Sequence, residues 1–216
     1  NMNYKKILIA ILIFSLVLRV FFGYSFFLRG WDETVYANLG YDLSKNPFHY
    51  NFKDNGWSDR ITDDSWPKAG FRAPLLPYIL AFFYFLRLNF LIELIIPLIG
   101  AFGVFGVFLL SKKLFGEKAG LISSLLLSIL YIHILASSKI WTDVLATTLL
   151  TFTIFYFYKG FVENLNKSKL FFGLLFGLSF LARYTSLWMA PVFLSFLLIK
   201  NKSLNFLKDK SLWFSV

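Results

Sequence analysis

Long apolar runs alternate with short charged segments along most of the chain. A helix needs about 20 apolar residues to cross a bilayer, with a range of roughly 17–25. The pattern therefore predicts an all-α polytopic membrane protein with about six transmembrane helices. The predicted spans are Ile7–Leu28, Leu91–Leu110, Ala119–Ser137, Val144–Tyr158, Leu170–Ala182 and Ser186–Ile199.

The apolar run Leu75–Leu86 is too short for a span. Runs of about 10–14 apolar residues are more often interfacial or re-entrant. If the lysine-rich loops are cytoplasmic, an even number of crossings must separate Lys6 from Lys112. We therefore expect Leu75–Leu86 to lie along the outer surface. It would belong to an outer loop with interfacial helices over residues 29–90, within one transmembrane domain that covers residues 1–216.

The positive charge of the chain has a topological explanation. The net charge is +10 at pH 7, and lysines are concentrated in the loops between alternate spans. Such an excess is typical of cytoplasmic loops, so it gives no reason to expect a nucleic-acid partner. Both ends of the segment are predicted to lie in the cytoplasm.

Composition agrees with a membrane protein and removes two kinds of site. The chain is 57% hydrophobic and 16% charged, whereas soluble domains carry about 25% charged residues. Cysteine is absent, which excludes disulfides and thiolate metal sites, and two histidines are too few for a histidine-based zinc centre. The run "GAFGVFG", Gly100–Gly106, predicts close packing between helices.

Two adjacent carboxylates, Asp32 and Glu33, directly follow the first span. Taken alone, Asp32 is most simply an N-cap of the following segment. The functional interpretation is a general base at the membrane boundary, where desolvation makes a carboxylate more basic. Asp143, at the outer start of a later span, is either another N-cap or a second carboxylate near Asp32. In that second role it would hold a divalent metal or orient an acceptor.

Three arginines stand at notable positions. Arg72 and Arg183 fall at the outer membrane edge, where arginine either snorkels to the headgroups or binds a phosphate through both arms of its guanidinium. Arg19 lies inside the first span. Charges inside a membrane are rare and often functional, so Arg19 forms either a structural ion pair, with Glu93 as a candidate partner, or part of a site.

These segments in this order resemble the N-terminal half of the C-type (GT-C) glycosyltransferases. The stretches that carry the likeness are "DETVYA", "RAPLLPYILAFFYFLRLNF", "SSKIWTDVLATTLL" and "GLSFLARYTSLW". The nearest group is glycosyltransferase family 39, with the protein O-mannosyltransferases and aminoarabinose transferases. The likeness runs from about Ile7 to Leu198, and its strength comes from the ordered series, because no single stretch is specific.

The resemblance implies an integral membrane enzyme that transfers a sugar from a polyprenyl-phosphate donor. The acceptor, a protein hydroxyl, lipid or glycan, lies on the outer side. Asp32 matches the family's catalytic carboxylate, with Glu33 beside it, and Asp143 matches a second outer acidic residue. If a metal takes part, Asp32 and Asp143 are its expected ligands.

The resemblance also implies a binding site for the donor phosphate. Arg72 stands where the family often has histidine, and "APLLP" keeps only part of the usual Pro-Pro-Leu-like motif. Arg183 and Tyr184 match a "TKYT"-like motif. We therefore expect Arg72, Asp143, Arg183 and Tyr184 to bind substrate, with membrane lipid as the other partner.

Members of this group are longer than this chain. The sequence stops at "KDKSLWFSV", where the pattern predicts the start of another span. We therefore expect this chain to be the N-terminal part of a longer protein and to be inactive alone. The expected location is the plasma membrane of a prokaryote, with the site outside. Two other functions remain open: half of a transporter or flippase, or a membrane subunit that keeps the fold without the chemistry.

Overall fold

The computed structural model describes residues 3–25, 30–50 and 72–201, and the regular structure within these ranges is helical. The predicted all-α membrane fold is confirmed for this part of the chain. Its helices are α1 (Tyr4–Ser25), α2 (Trp31–Lys45), α3 (Leu75–Phe85), α4 (Ile92–Phe115), α5 (Glu117–Ile129), α6 (Tyr131–Ser137), α7 (Thr142–Phe157), α8 (Asn166–Ala182) and α9 (Ala190–Asn201).

Three helical segments are long and apolar enough to cross a membrane: Tyr4–Tyr24, Asn89–Phe115 and Thr142–Val162. A fourth span results if α5 and α6, which are bent by 64° where they meet, count as one. These four correspond to the first four predicted spans. By length and composition, the described residues therefore contain three spans, or up to four.

The last two predicted spans are helical but short. Helix α8 has 17 residues, and α9 has 12 and follows a six-residue 3₁₀ segment, Tyr184–Met189. The six-span count therefore stays a prediction for these two passages. Helix α3 has 11 residues and extends only about 16 Å, too little to cross a bilayer. Its placement on the outer surface stays a prediction.

The third predicted span, Ala119–Ser137, is not one straight helix as the sequence pattern predicted. Helix α5 ends at Ile129, Leu130 is extended with φ −66° and ψ 110°, and α6 begins at Tyr131. Neither proline nor glycine stands at the break, but the Ser128 hydroxyl donates to the Ser124 carbonyl at 2.7 Å, a contact within a helix that often bends it. Contacts from α1 also reach the backbone carbonyls at this break.

The lysine clusters and the candidate site residues lie at opposite ends of the helix bundle. Lys113, in the last turn of α4, pairs with Glu163, and Lys200 on α9 donates to the backbone carbonyl of Phe161. The 24 residues of α4 extend about 36 Å. This length separates the lysine-rich end of the bundle from Glu93, which lies in the first turn of α4 beside α2.

Close packing of α4 against its neighbours confirms the prediction made from the glycine run. A Cβ atom added at Gly100 would lie 2.5 Å from the Ser137 hydroxyl oxygen of α6. At Gly103 it would lie 2.5 Å from the Thr148 hydroxyl oxygen of α7. Both positions leave no room for a larger side chain.

The largest apolar cluster joins α2 and α3 to α4, α7 and the end of α8. It holds the first half of α2 in a fixed place over the bundle, because Tyr36 is only 4% exposed. Its buried members are Tyr36, Leu76, Leu80, Ile92, Ile95, Ile96, Val144, Leu145, Ala146 and Ala182.

Candidate active site

A cavity of about 210 Å³ lies where four separate segments of the chain meet. The segments are the first half of α2, residues 72–73, the start of α7 and the residues that follow α8. The charged and aromatic side chains lining it are Asp32, Tyr36, Arg72, Trp141, Asp143, Arg183 and Tyr184. The structure therefore brings together all of the predicted site residues except Glu33.

Asp32 and Arg72 form an ion pair in this cavity. Asp32 stands in the first turn of α2, where the helix N-terminus favours negative charge, and its side chain is 44% exposed. The Arg72 side chain is only 17% exposed, and its guanidinium carbon lies 5.3 Å from the centre of the Tyr36 ring. The aromatic face and the carboxylate together fix the plane of the guanidinium.

Two tyrosine hydroxyls hold the backbone at Arg72. The Tyr50 hydroxyl donates to the Arg72 carbonyl at 2.8 Å, and the Tyr184 hydroxyl donates to the same oxygen at 3.4 Å. Burial raises the pKa of the Tyr50 phenol, so this hydroxyl remains a donor at neutral pH. Sequence reasoning missed Tyr36 and Tyr50, because no local pattern links a tyrosine to a distant arginine.

Asp143 and Arg183 form the second ion pair of the cavity. Asp143 stands in the first turn of α7, and Arg183 directly follows α8 in an extended conformation with φ −157°. The two side chains are about half exposed, at 48% and 45%. This pair is therefore more accessible to a ligand than the one at Arg72.

Glu33 faces away from this cavity. Successive residues of a helix point about 100° apart, and the Glu33 carboxylate turns toward the bundle, where it is 7% exposed. It accepts from the Gly30 backbone N–H at 2.6 Å, from the Lys139 amine at 3.4 Å and from the Ile140 backbone N–H at 3.4 Å. It also lines a separate cavity of about 220 Å³ that contains Glu93.

The carboxylates of the first cavity are held by cations of the protein itself. Among the described residues, no three His, Asp or Glu side chains are grouped so that they could hold a metal ion. Asp32 and Asp143 each pair with a guanidinium. A divalent cation bound by both would have to displace two arginines.

A family model supplies the comparison that bears on this cavity. The model of the dolichyl-phosphate-mannose-protein mannosyltransferases matches residues 71–216, more than half of the sequence. The chain belongs to this family. Dolichyl-phosphate-mannose-protein mannosyltransferases are membrane glycosyltransferases of the GT-C type, as the resemblance implied. Comparison with curated proteins and with solved structures found no match.

The mannosyltransferase match covers one side of the cavity. Arg72, Asp143, Arg183 and Tyr184 lie inside the matched range, whereas Asp32 and Glu33 precede it. The resemblance from the sequence began near Ile7, so the family model supports it from residue 71 onward. Asp32, the carboxylate expected to be catalytic, lies in the cavity because it forms an ion pair with Arg72.

Proposed function

We propose that this protein transfers a sugar from a polyprenyl-phosphate-linked donor to an acceptor hydroxyl on the outer face of a membrane. One observation carries the proposal: two carboxylates and two guanidiniums from four separate segments line a single cavity of about 210 Å³. The chain belongs to a family of membrane glycosyltransferases, and this cavity holds the charged groups that such a transfer requires.

Asp32 is the proposed general base. The acceptor hydroxyl oxygen bonds to the anomeric carbon of the sugar, and its proton passes to Asp32 as that bond forms. The bond between the anomeric carbon and the phosphate oxygen breaks at the same time. Polyprenyl phosphate leaves as an anion, and the configuration at the sugar is inverted.

Arg72 and Arg183 are proposed to hold the donor phosphate. Guanidinium binds phosphate through two parallel hydrogen bonds, and positive charge placed where the leaving phosphate gains charge lowers the barrier. In the present structure both arginines pair with carboxylates. An arriving phosphate competes for Arg72, which releases Asp32 to accept a hydrogen bond from the acceptor.

Asp143 and Tyr184 complete the proposed substrate site. Asp143 keeps Arg183 directed into the cavity. The Tyr184 hydroxyl contacts the backbone of Arg72, so it joins the two arginine positions from the end of α8. The partners of the site are the lipid-linked donor and the surrounding membrane lipid.

The proposed orientation places this cavity outside and the lysine-rich end in the cytoplasm. Positively charged loops favour the cytoplasmic side, and the lysine clusters occupy the end of α4 opposite the cavity. In a prokaryote the corresponding membrane is the plasma membrane, where a polyprenyl-phosphate donor reaches the site from the outer leaflet.

The Asp32→Asn variant tests the proposal directly. Membranes from cells that express the complete gene are given a polyprenyl-phosphate donor with a labelled sugar, and transfer to acceptor material is followed. Asparagine keeps the size of the side chain and removes the base, so we expect transfer to fall by about 10²–10⁴-fold. Glu117→Gln is the matched control, because it breaks an ion pair with Lys112 at the opposite end of the bundle.

Transfer at the wild-type level by Asp32→Asn would show that Asp32 is not the base. Absence of transfer by the wild type with every donor tried would instead favour a transporter half or a subunit without chemistry. In both cases the amounts of wild type and variants in the membrane are compared first, so that lost activity is distinguished from lost protein.

A further inference from the structure

A buried arginine in the first span is not used by the proposed reaction. Arg19 lies in the second half of α1, is 0% exposed and lines neither of the two cavities described above. A charged group inside a membrane is costly unless its donors are satisfied by neighbouring helices. The contacts of its guanidinium therefore indicate what the residue does.

The Arg19 guanidinium connects three helices. Within α1 it donates to the Ser15 hydroxyl at 2.6 Å and to the Ser15 carbonyl at 3.0 Å. It also donates to the carbonyls of Leu127 at 3.3 Å and Ser128 at 3.4 Å, near the end of α5. The Arg19 Nη2 atom, which donates to Leu127, also lies 2.8 Å from Nδ1 of His133 in α6.

These contacts surround the break between α5 and α6. A helix end leaves its last carbonyls without partners in the helix, and a membrane interior offers no water to satisfy them. Arg19 supplies donors to two such carbonyls and holds the following helix through His133. The 64° bend at Leu130 is therefore stabilised from α1 in addition to the local contact of Ser128.

Helix α4 closes the network from its other side. A Cβ atom added at Gly100 would lie 2.5 Å from the Ser137 hydroxyl oxygen and 3.0 Å from Nε of Arg19. The Ser137 hydroxyl donates to the His133 carbonyl at 2.6 Å. The end of α6 is thus enclosed between α1 and α4, and its direction is fixed.

The end of α6 leads directly into the candidate site. Only residues 138–141 separate it from α7, which carries Asp143 in its first turn. Glu33, next to Asp32 on α2, accepts from Lys139 and from the Ile140 backbone. A rotation of α6 would therefore move Asp143 and disturb the first turn of α2 together.

We infer that Arg19 is a positioning residue: it holds the bent third span so that Asp143 stays opposite Asp32 in the cavity. The inference rests on the proposed function for its effect on sugar transfer. Arg19 acts through α6 and touches no substrate, so a different bond that holds α6 in place would substitute for it.

A disulfide between α1 and the end of α6 provides that substitute bond. A Cβ atom added at Gly23 would lie 3.8 Å from Cβ of Ser138, within the about 3.5–4.5 Å found across disulfides. The chain contains no cysteine, so the Gly23→Cys/Ser138→Cys pair forms one defined bond. We expect this pair to oxidise readily and to leave transfer within a few-fold of wild type.

The decisive variant adds Arg19→Gln to the cysteine pair. Misplacement by about 1 Å can cost roughly a hundredfold in rate, so we expect Arg19→Gln alone to lose about ten- to a hundredfold of its transfer activity. With the disulfide formed, transfer returns to within a few-fold of the cysteine pair alone, and reduction with dithiothreitol abolishes the rescue. A role limited to expression or to phosphate binding would give no redox-dependent rescue.

Gly100→Ala is a second variant that leaves Arg19 in place. It displaces the same network from α4, so we expect a similar loss and a similar rescue by the disulfide. Gly177→Ala on α8 is its control, because nothing lies within 4 Å of an added Cβ there. Wild-type transfer by Arg19→Gln, or failure of the formed disulfide to restore it, would overturn the inference.

The rate of disulfide formation gives a readout that does not depend on transfer. Under limiting oxidant, we expect the cysteine pair to oxidise more slowly with Arg19→Gln than without it, because α6 no longer stays against α1. Equal rates in the two backgrounds would overturn the positioning role. If no variant and no wild type transfers sugar, the proposed function fails while this rate still decides the inference.

Discussion

At the scale of single residues, Asp32 and Glu33 are adjacent in the chain and line different cavities. The helical rotation of about 100° per residue directs Asp32 toward Arg72 and Glu33 toward residues 139–140. One carboxylate is therefore available at a polar surface, and the other joins two elements of the fold. Arg72 also differs from Arg183, since it is more buried and rests on an aromatic ring.

Replacing Arg72 by lysine tests whether its planar shape matters. Lysine keeps the charge but loses the two-armed contact with phosphate and the flat stacking on Tyr36. We expect the KM for the lipid-linked donor to rise by about tenfold, which corresponds to the loss of about 1.4 kcal/mol of binding free energy. Transfer measured over a range of donor concentrations separates this effect from a change in kcat.

Arg87→Lys is the control for this substitution, because Arg87 is exposed and lies outside the cavity. It is expected to leave the donor KM unchanged. An Arg72→Lys protein with wild-type KM would show that the donor phosphate is not bound there.

At the scale of elements, α2 and the bent pair of helices α5 and α6 fix the site together. At the start of α2 the Glu33 carboxylate accepts the Gly30 backbone N–H, which is the half of a capping box that the residue at N3 supplies. The same carboxylate contacts residues 139–140 between α6 and α7. The two elements that carry Asp32 and Asp143 are therefore joined at one side chain.

Glu33→Ala is expected to destabilise this junction. Loss of an N-terminal cap costs about 1 kcal/mol, which corresponds to a fall in Tm of about 2–4 °C for a protein of this size. The melting temperature in detergent measures the effect. The Tm of the Glu33→Gln variant should fall less, since the amide oxygen of glutamine still accepts the Gly30 N–H.

Glu163→Ala serves as the comparison, because it removes a carboxylate from a part-exposed ion pair with Lys113, and such pairs contribute about 0–1 kcal/mol. Equal melting temperatures for Glu33→Ala and the wild type would argue against a joining role for Glu33.

At the scale of the whole molecule, charge divides the bundle into two ends. The lysine-rich end carries ion pairs such as Lys113 with Glu163, and the cavity with its paired arginines lies at the other end. If the lysine-rich end is cytoplasmic, every predicted donor and acceptor contact lies outside. The membrane orientation of the protein therefore decides which pool of substrate it meets.

Single cysteines at the two ends test this orientation. Phe48, after α2, is 97% exposed, and Lys118, at the start of α5, is exposed. In intact cells we expect Phe48→Cys to react with a membrane-impermeant thiol reagent and Lys118→Cys to react only after permeabilisation. The absence of native cysteine makes the unmodified protein the background control.

Reaction of both positions in intact cells would mean that they lie on the same side. The two-crossing path assumed between Lys6 and Lys112 would then need revision. Reaction of Lys118→Cys alone would place the cavity in the cytoplasm.

The apolar runs, the lysine clusters and the positions of the charged residues are properties of the sequence, and they predicted much of this structure. They predicted Asp32, Arg72, Asp143 and Arg183 at one end of an all-helical bundle, because each lies next to an apolar run, on the side away from the lysine-rich loops. The glycine run likewise predicted the close approach of α4 to its neighbours. These predictions succeed because they depend on length and local composition.

The pairing of those residues is decided only by the tertiary structure. Which arginine meets which carboxylate, the aromatic support of Arg72 by Tyr36 and the separation of Glu33 from Asp32 all depend on how helices are rotated and packed. The bend at Leu130 shows the reason most directly. Neither proline nor glycine stands at the break, and the carbonyls of Leu127 and Ser128 accept from Arg19, which is 108 residues away from Leu127 in the chain. Contacts at such sequence distances exist only once the helices have assembled.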